Sequence, residues 1–259
     1  MMKLSALILL AIFITNQLYA KPLRRSRPRR NAYRNESRLW PKAVVPYTID
    51  EAYSKHERSV IERAMKDIQS ISCIRFKKQS SETAFVEIVR GKGCRAVVGY
   101  IGRRSKLSLG YGCIWVARVL HELLHVLGFF HEHTRPDRDE FVSIFSDNIK
   151  EASINNFRKM SESKVTTFGL PYDFRSVLHY HDREFAIDRT RKTLEPKVSV
   201  GGVVIGRAEE LSKMDILKLN KLYHCPKRNK HRDYQEEEGS GLTELEDNFI
   251  IVSLADETS

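Results

Sequence analysis

The chain of 259 residues contains, at positions 121–131, the sequence His121-Glu122-Leu123-Leu124-His125-Val126-Leu127-Gly128-Phe129-Phe130-His131. His121 and His125 are four residues apart, so on a helix their side chains project from the same face, one turn apart. Both imidazoles can therefore reach one metal ion, and Glu122 lies at the edge of the same face. The spacing predicts a helix that carries two ligands of a metal ion.

The residues around these histidines predict where the helix lies and how it ends. Its apolar positions predict burial: Val119, Leu120, Leu123, Leu124, Val126 and Leu127. Gly128 permits a left-handed turn that ends the helix and returns His131 to the site as a third ligand. A buried helix with incidental histidines is the alternative, but the offsets of Gly128 and His131 complete the long zinc signature of the metzincins.

The residues after His131 resemble the astacin family of metzincins, and especially its tolloid-like branch. The similarity covers about Asn31 to Cys225 and rests on these stretches: Glu132-His133-Thr134-Arg135-Pro136-Asp137-Arg138-Asp139, Leu39-Trp40-Pro41, Val45-Pro46-Tyr47, Ser72-Cys73-Ile74-Arg75-Phe76 and Tyr172-Asp173-Phe174-Arg175-Ser176-Val177-Leu178-His179-Tyr180. It implies a secreted zinc metalloendopeptidase that hydrolyses internal bonds of extracellular proteins. The implied fold is a two-lobed α+β protease domain. Its N-terminal lobe holds a mixed twisted sheet and the zinc helix, and its C-terminal lobe is largely irregular.

The resemblance assigns roles to the residues of the site. His121, His125 and His131 are expected to hold one Zn²⁺ per chain. Glu122 is expected to act as general base toward a zinc-bound water and then as acid toward the leaving amine. Tyr180 is expected to stabilise the oxyanion.

Three further positions depart from the family pattern or refine it. Leu178 stands where metzincins place a methionine beneath the zinc, an exchange that apolar packing tolerates. The segment Lys106-Leu107-Ser108-Leu109 resembles the edge strand that pairs with substrate. Tolloid-type enzymes favour an aspartate after the scissile bond through an arginine that follows Ile-Gly-Gln. Here Ile205-Gly206-Arg207-Ala208 puts Ala208 at that place, so we predict a weaker acidic preference carried by Arg207.

The first thirty residues have the composition of targeting and processing segments. Residues 1–20 combine Lys3 with a short apolar run and a small-residue end, which predicts a signal peptide rather than a signal anchor. Residues 21–30 form a short basic propeptide without aspartate or cysteine, and its end predicts cleavage by a furin-like protease after Arg30. By the resemblance, the new terminus at Asn31 reaches toward Glu132.

Four cysteines follow residue 30, and an even number in a secreted chain favours two disulfides. The sequence alone permits three pairings. The resemblance implies Cys73 with Cys225 and Cys94 with Cys113. Asn35 begins an N-glycosylation sequon.

The charge distribution bears on partners. Of the net charge of +11, residues 31–225 carry +9, because seven basic residues precede them and the tail at 226–259 holds four basic and nine acidic ones. That tail is predicted to be disordered. No nucleic-acid motif accompanies the charge, and no later segment is long and apolar enough to span a membrane. A catalytically silent secreted binding protein or a heparin-binding protein remains the alternative, although every expected ligand and Glu122 are present.

Overall fold

The computed structural model describes residues 31–226, so the predicted signal peptide, the propeptide and nearly all of the acidic tail lie outside the described residues. The helices are α1 (Lys55–Ile71), α2 (Val116–Val126) and α3 (Lys213–Leu222). The strands are β1 (Ala32–Tyr33), β2 (Val44–Ile49), β3 (Arg75–Lys78), β4 (Val86–Val89), β5 (Cys94–Ala96), β6 (Ser105–Leu109), β7 (Val142–Ile144), β8 (Val165–Thr166) and β9 (Leu194–Pro196). Within residues 31–226, no helix has the length and apolar character needed to cross a bilayer.

Five strands form a mixed sheet in the order β3-β2-β4-β6-β5. The first four are parallel, and β5 runs antiparallel to β6. The expectation that residues 106–109 form an edge strand is wrong, because Leu107 pairs with Ile88 on one side and with Ala96 on the other. The sheet ends at β3 on one side and at β5 on the other, and beside β6 it is β5 whose outer side has no strand partner within residues 31–226.

Helices α1 and α2 cover this sheet and form the main core with it. Helix α1 begins at a capping box in which the Ser54 and Glu57 side chains accept each other's backbone N–H groups. Its buried residues recur at helical spacing: Ile61, Ala64, Met65 and Ile68. They pack in one cluster with the apolar side of α2 and with the sheet. The α+β fold class predicted from sequence is confirmed.

The second lobe has little regular structure and its own small core. Its buried apolar residues are Val142, Ile149, Phe157, Tyr172, Leu194 and Ile205. The pair β7–β9 is its longest ladder. Side chains replace ladders elsewhere, as when buried Asn148 donates to the carbonyls of Asp188 and Arg191 and accepts from the Asp188 N–H. Backbone polar groups are thus satisfied without strands.

Two disulfides and one short ladder join segments that are distant in sequence. Cys73 bonds to Cys225 across 152 positions, and Cys94 bonds to Cys113 across 19, the pairs that the resemblance implies. The ladder pairs Ala32 with Thr166. The first described residues are therefore held by the second lobe.

We expect the two disulfides to stabilise the fold unequally. In the chain-entropy model, replacing Cys73 and Cys225 by alanine removes about 5 kcal/mol from the free energy of unfolding, against about 3 kcal/mol for Cys94 and Cys113. Denaturant unfolding of the two double variants measures the difference. A larger loss for the Cys94–Cys113 pair would contradict the entropic account.

Candidate metal centre

The three histidines of the signature converge on one point. The Nε2 atoms of His121 and His125 are 3.1 Å apart, and each lies 3.2 Å from Nε2 of His131. Nitrogen ligands of a tetrahedral zinc ion, at about 2.0–2.1 Å, lie roughly 3.4 Å from one another. Within residues 31–226, these three histidines are the one set of at least three candidate ligands whose atoms lie close enough together to hold a metal ion.

Backbone carbonyls fix which ring nitrogens face that point. Nδ1 of His121 donates to the Val177 carbonyl and Nδ1 of His125 to the Phe129 carbonyl, both at 2.7 Å. A carbonyl can only accept, so Nδ1 carries the proton and Nε2 presents its lone pair. Burial lowers the pKa of His125 to about 4 and that of His121 well below its ordinary value. Neutral lone pairs that face each other at this distance repel, so the set fits a cation.

The end of α2 is built to return the chain to the metal centre. Gly128 adopts φ 101°, where a side chain would be strained, and its N–H donates to the His125 carbonyl at 2.9 Å. The Gly99 N–H reaches the same carbonyl, and the Trp40 indole donates to Val126 at 2.9 Å. The last carbonyls of the helix are therefore satisfied, and the chain is free to turn toward His131.

Beneath the histidines lies the turn at residues 176–178, which α3 holds in place. Leu178 is 1% exposed and packs in the main core, as expected at the methionine position. Asp215 on α3 accepts from the Ser176 hydroxyl at 2.7 Å and from the Val177 N–H at 2.9 Å. The Val177 carbonyl in turn orients His121. Helix α3 thus positions a ligand that lies on α2.

Glu132, directly after the third histidine, is fully buried and surrounded by donors. Its Oε1 accepts from Arg135 at 2.9 Å and from the Asp173 N–H at 3.0 Å. Its Oε2 accepts from Lys218 Nζ at 2.7 Å and from the Asn31 side-chain amide. Burial acts to raise the pKa of Glu132, but the charges of Lys218 and Arg135 outweigh it and lower that pKa.

Asn31 and Glu132 are in contact in the uncut chain, in which the Asn31 nitrogen belongs to a peptide bond, so the contact of a new terminus at Asn31 with Glu132 stays a prediction. The Asn31 side-chain Nδ2 donates to the carboxylate, whereas its backbone nitrogen donates to the Thr166 carbonyl at 2.9 Å. The structure therefore brings the two residues together through the side chain.

Glu122 and Tyr180 both lie at the cluster. Glu122 is 3% exposed, and its Oε2 has no hydrogen-bond partner within residues 31–226. Burial raises the pKa of Glu122 to about 7, while the charge of Arg118 opposes the shift. The Tyr180 ring packs 4.3 Å from that of His131, and burial raises the pKa of its hydroxyl.

A recess of about 50 Å³ opens beside His121, with room for a water molecule. Tyr180, Arg118, Glu184 and Ala208 contribute to its walls. A Cβ at Gly206, another wall residue, would lie 2.2 Å from the His181 nitrogen, so this position has no space for a side chain.

Arg207 does not line this recess. Its exposed side chain faces a separate groove that also contains Arg63 and Leu211. The recess beside His121 is lined by Ala208, which also lines the groove of Arg207, so the acidic preference expected of Arg207 has no contact with this recess to support it. The cation in the recess is Arg118, which lies 5.7 Å from the Trp115 ring.

Sequence reasoning missed Arg118, Arg135, Asp215 and Lys218. Asp215 and Lys218 share a buried face with Leu219 and Leu222, at spacings of three, four and seven. Charged residues at apolar spacing were the available signal, since a charge at such a position needs a buried partner. The sequon residue Asn35 is exposed, and its side-chain oxygen accepts from the Ser37 N–H at 3.0 Å.

Comparisons with known proteins agree with this geometry. Residues 32–224 match the family model described as Astacin, a family of peptidases. The chain is 39% identical over 201 residues to zinc metalloproteinase nas-7 of Caenorhabditis elegans, covering 77% of this chain and 52% of nas-7. It is 38% identical over 196 residues to low choriolytic enzyme of Oryzias latipes, covering 73% and 70%. The chain thus spans about half the length of nas-7.

A solved structure shows the same fold. High choriolytic enzyme 1, a hatching enzyme zinc-protease from Oryzias latipes, superposes with a TM-score of 0.72 at 37% sequence identity. The match covers 76% of this chain and 100% of that one.

We expect Leu178 to be replaceable by methionine but not by alanine. Leu178→Met conserves volume and should cost less than about 1.5 kcal/mol of unfolding free energy. Leu178→Ala leaves a cavity below the histidines and should cost about 2–5 kcal/mol. Chemical denaturation of both variants provides the comparison, and equal losses would show that this turn does not depend on packing.

Proposed function

Since the chain belongs to the astacin family of peptidases, we propose that residues 31–225 form a zinc-dependent endopeptidase of extracellular proteins. The observation that carries the proposal is the convergence of the three Nε2 atoms, those of His121 and His125 unprotonated, beside a buried carboxylate with an unpaired oxygen. One Zn²⁺ per chain satisfies the three nitrogens. When bound, Zn²⁺ acts as a Lewis acid and lowers the pKa of a coordinated water molecule to about 7.

Glu122 is the proposed general base and acid. Its Oε2 is free to accept a proton from the attacking water, because no other group of the described residues occupies it. Burial raises the pKa of Glu122 to about 7, and a cation held by the histidines favours the ionised form. The carboxyl group then returns the proton to the leaving amine.

Tyr180 is the proposed donor to the oxyanion. Burial, assisted by the charges of Glu184 and Glu122, raises the pKa of its hydroxyl. The phenol therefore keeps its proton at neutral pH and can donate it in a hydrogen bond as negative charge develops on the substrate carbonyl.

We expect Glu122→Gln to abolish most peptidase activity while one zinc ion per chain stays bound. The amide matches the carboxylate in size but cannot accept the proton. Zinc content by mass spectrometry and cleavage of a denatured protein substrate, with and without chelator, measure both properties. The matched control is Glu151→Gln, at an exposed position.

The same measurements separate the alternatives. A catalytically silent binding protein would show no chelator-sensitive cleavage in the parent chain. A heparin-binding protein would be retained on a heparin column, and removal of zinc would leave that retention unchanged. Unaltered cleavage by the Glu122→Gln variant would remove Glu122 from the mechanism.

We propose that Arg118, rather than Arg207, carries the acidic preference after the scissile bond. Arg118 is half-buried in the recess beside His121, and within residues 31–226 no carboxylate lies at ion-pair distance from it. A guanidinium without an acidic partner can bind a substrate carboxylate. Glu184 on the same walls disfavours such a carboxylate, which is consistent with a moderate preference.

We expect Arg118→Gln to lower kcat/KM for peptides with aspartate after the cleaved bond by roughly tenfold relative to matched alanine peptides, as for loss of one charge-assisted hydrogen bond. Arg207→Gln is the control and should leave the ratio unchanged. Profiling on a peptide library decides between them. If Arg207→Gln alone changes the ratio, the assignment to Arg118 is refuted.

Secretion and processing are also proposed. Residues 1–20 act as the signal peptide, a furin-like protease cleaves after Arg30, and Asn35 receives a glycan. Two disulfides support an oxidising compartment, and the exposure of Asn35 supports glycosylation. Residues 226–259 are proposed to be a disordered acidic tail.

N-terminal sequencing of the secreted chain should begin at Asn31. Arg30→Ala should shift that start, because the processing protease reads the basic run. A peptide-N-glycosidase treatment should lower the mass of the parent but not of an Asn35→Gln variant. A start far upstream in the parent chain would remove the processing proposal.

A further inference from the structure

Lys218 is a lysine in the interior, and its partner is Glu132. Its side chain is 1% exposed, and Nζ lies 2.7 Å from Glu132 Oε2. Removing an ammonium from water costs several kcal/mol unless it is paired. A lysine at this position therefore needs the Glu132 carboxylate.

The Glu132 carboxylate has no acceptor site left. Each oxygen accepts two hydrogen bonds, from Arg135 and the Asp173 N–H at Oε1 and from Lys218 and the Asn31 amide at Oε2. A carboxylate offers about four lone-pair positions. A fifth donor would have to displace one of these four.

Two cations face the Glu132 carboxylate directly. Arg135 forms ion pairs with Glu132 and with Asp137, both at 2.9 Å, and Lys218 Nζ lies 2.7 Å from Glu132 Oε2. The Glu132 charge is therefore paired from within the fold.

The backbone nitrogen of Asn31 points elsewhere. It donates to the Thr166 carbonyl at 2.9 Å, next to the Ala32–Thr166 pair of the β1–β8 ladder. A peptide N–H and a free ammonium can both make that bond, so the ladder does not distinguish a cut chain from an uncut one.

We propose that Lys218 is a positioning residue that neutralises Glu132 from within the fold, so that the metal centre forms without a free amino terminus at Asn31. Glu132 is joined to the centre through its backbone, because its N–H donates to the Leu178 carbonyl at 3.1 Å and His131 precedes it. The proposal rests on the proposed peptidase function. It makes cleavage after Arg30 a trimming step rather than the event that completes the site.

The test moves the terminus without changing the site. Gly-Ser is inserted between Arg30 and Asn31 in the full chain, so that processing leaves two extra residues, and sequencing verifies each terminus. Both chains are made with Lys218, with K218Q and with K221Q. Lys221 is the matched control, since it lies on the same helix and is exposed. kcat, KM and the thermal midpoint are measured at saturating zinc.

With Lys218 or K221Q, the insertion should change kcat/KM by less than about twofold and leave the thermal midpoint in place. With K218Q, the insertion should lower kcat by roughly tenfold or more with little change in KM, because the buried carboxylate has then lost one cation and the terminal ammonium of Asn31, a residue already in contact with it, is the group that can replace that charge. A tenfold loss on insertion in the parent, or a K218Q chain indifferent to insertion, would overturn the proposal.

Two other outcomes remain decisive. If K218Q does not fold, the parent pair alone tests whether a free terminus is needed. If the parent starting at Asn31 binds zinc but cleaves nothing, the peptidase function fails. The thermal midpoints of the same chains then test the role of Lys218 separately.

Discussion

The Glu132 carboxylate sets a constraint that the whole domain must meet. A fully buried charge costs several kcal/mol unless donors surround it, and four segments of the chain supply those donors. They are the first described residue, the turn after the third histidine, the loop at Asp173 and helix α3. No two neighbouring elements supply all four donors, so the Glu132 carboxylate is fully hydrogen-bonded only when the two lobes are docked.

The metal centre depends on the same docking. His121 and His125 lie on a helix of the first lobe, yet the carbonyl that orients His121 belongs to Val177 in the second. Asp215 holds that turn through its backbone and through Ser176. Burial raises the pKa of Asp215 to about 6, and the charge of Lys218 opposes the shift. Asp215 and Lys218 lie on one helical turn of α3. Asp215 anchors the segment at residues 176–178, and Lys218 pairs with the Glu132 carboxylate next to the ligands.

The features that local patterns encode were predictable. The four-residue spacing of histidines, the glycine after them and the apolar period of α1 each have one dominant structural meaning. The ion pair between Lys218 and Glu132 was not predictable. The two residues are 86 positions apart, and the sequence signals their contact only by an unexpected charge on an apolar helix face. The edge strand was misassigned because β5 has three residues, too few for a pattern.

Arg207 shows a different limit. Arg207 and Ala208 are adjacent, but only Ala208 lines the recess, so an alignment that is correct to within one position still leaves open which side chain reaches it. The structure gives that place to Ala208, while the cation comes from the first turn of α2. Which segment supplies the cation that lines the recess depends on tertiary packing and cannot be predicted from the sequence of either segment alone.

The bond between Cys73 and Cys225 has a consequence for synthesis of the chain. At about 5–20 residues per second, the 152 positions between the two thiols take roughly 8–30 s to translate. During that time Cys73 has no native partner, and the core lacks Leu219 and Leu222 of α3. The first lobe cannot be completed as the chain emerges. Until then Cys73 can form non-native disulfides with Cys94 or Cys113. The native bond forms only when the last residues of the domain have been made.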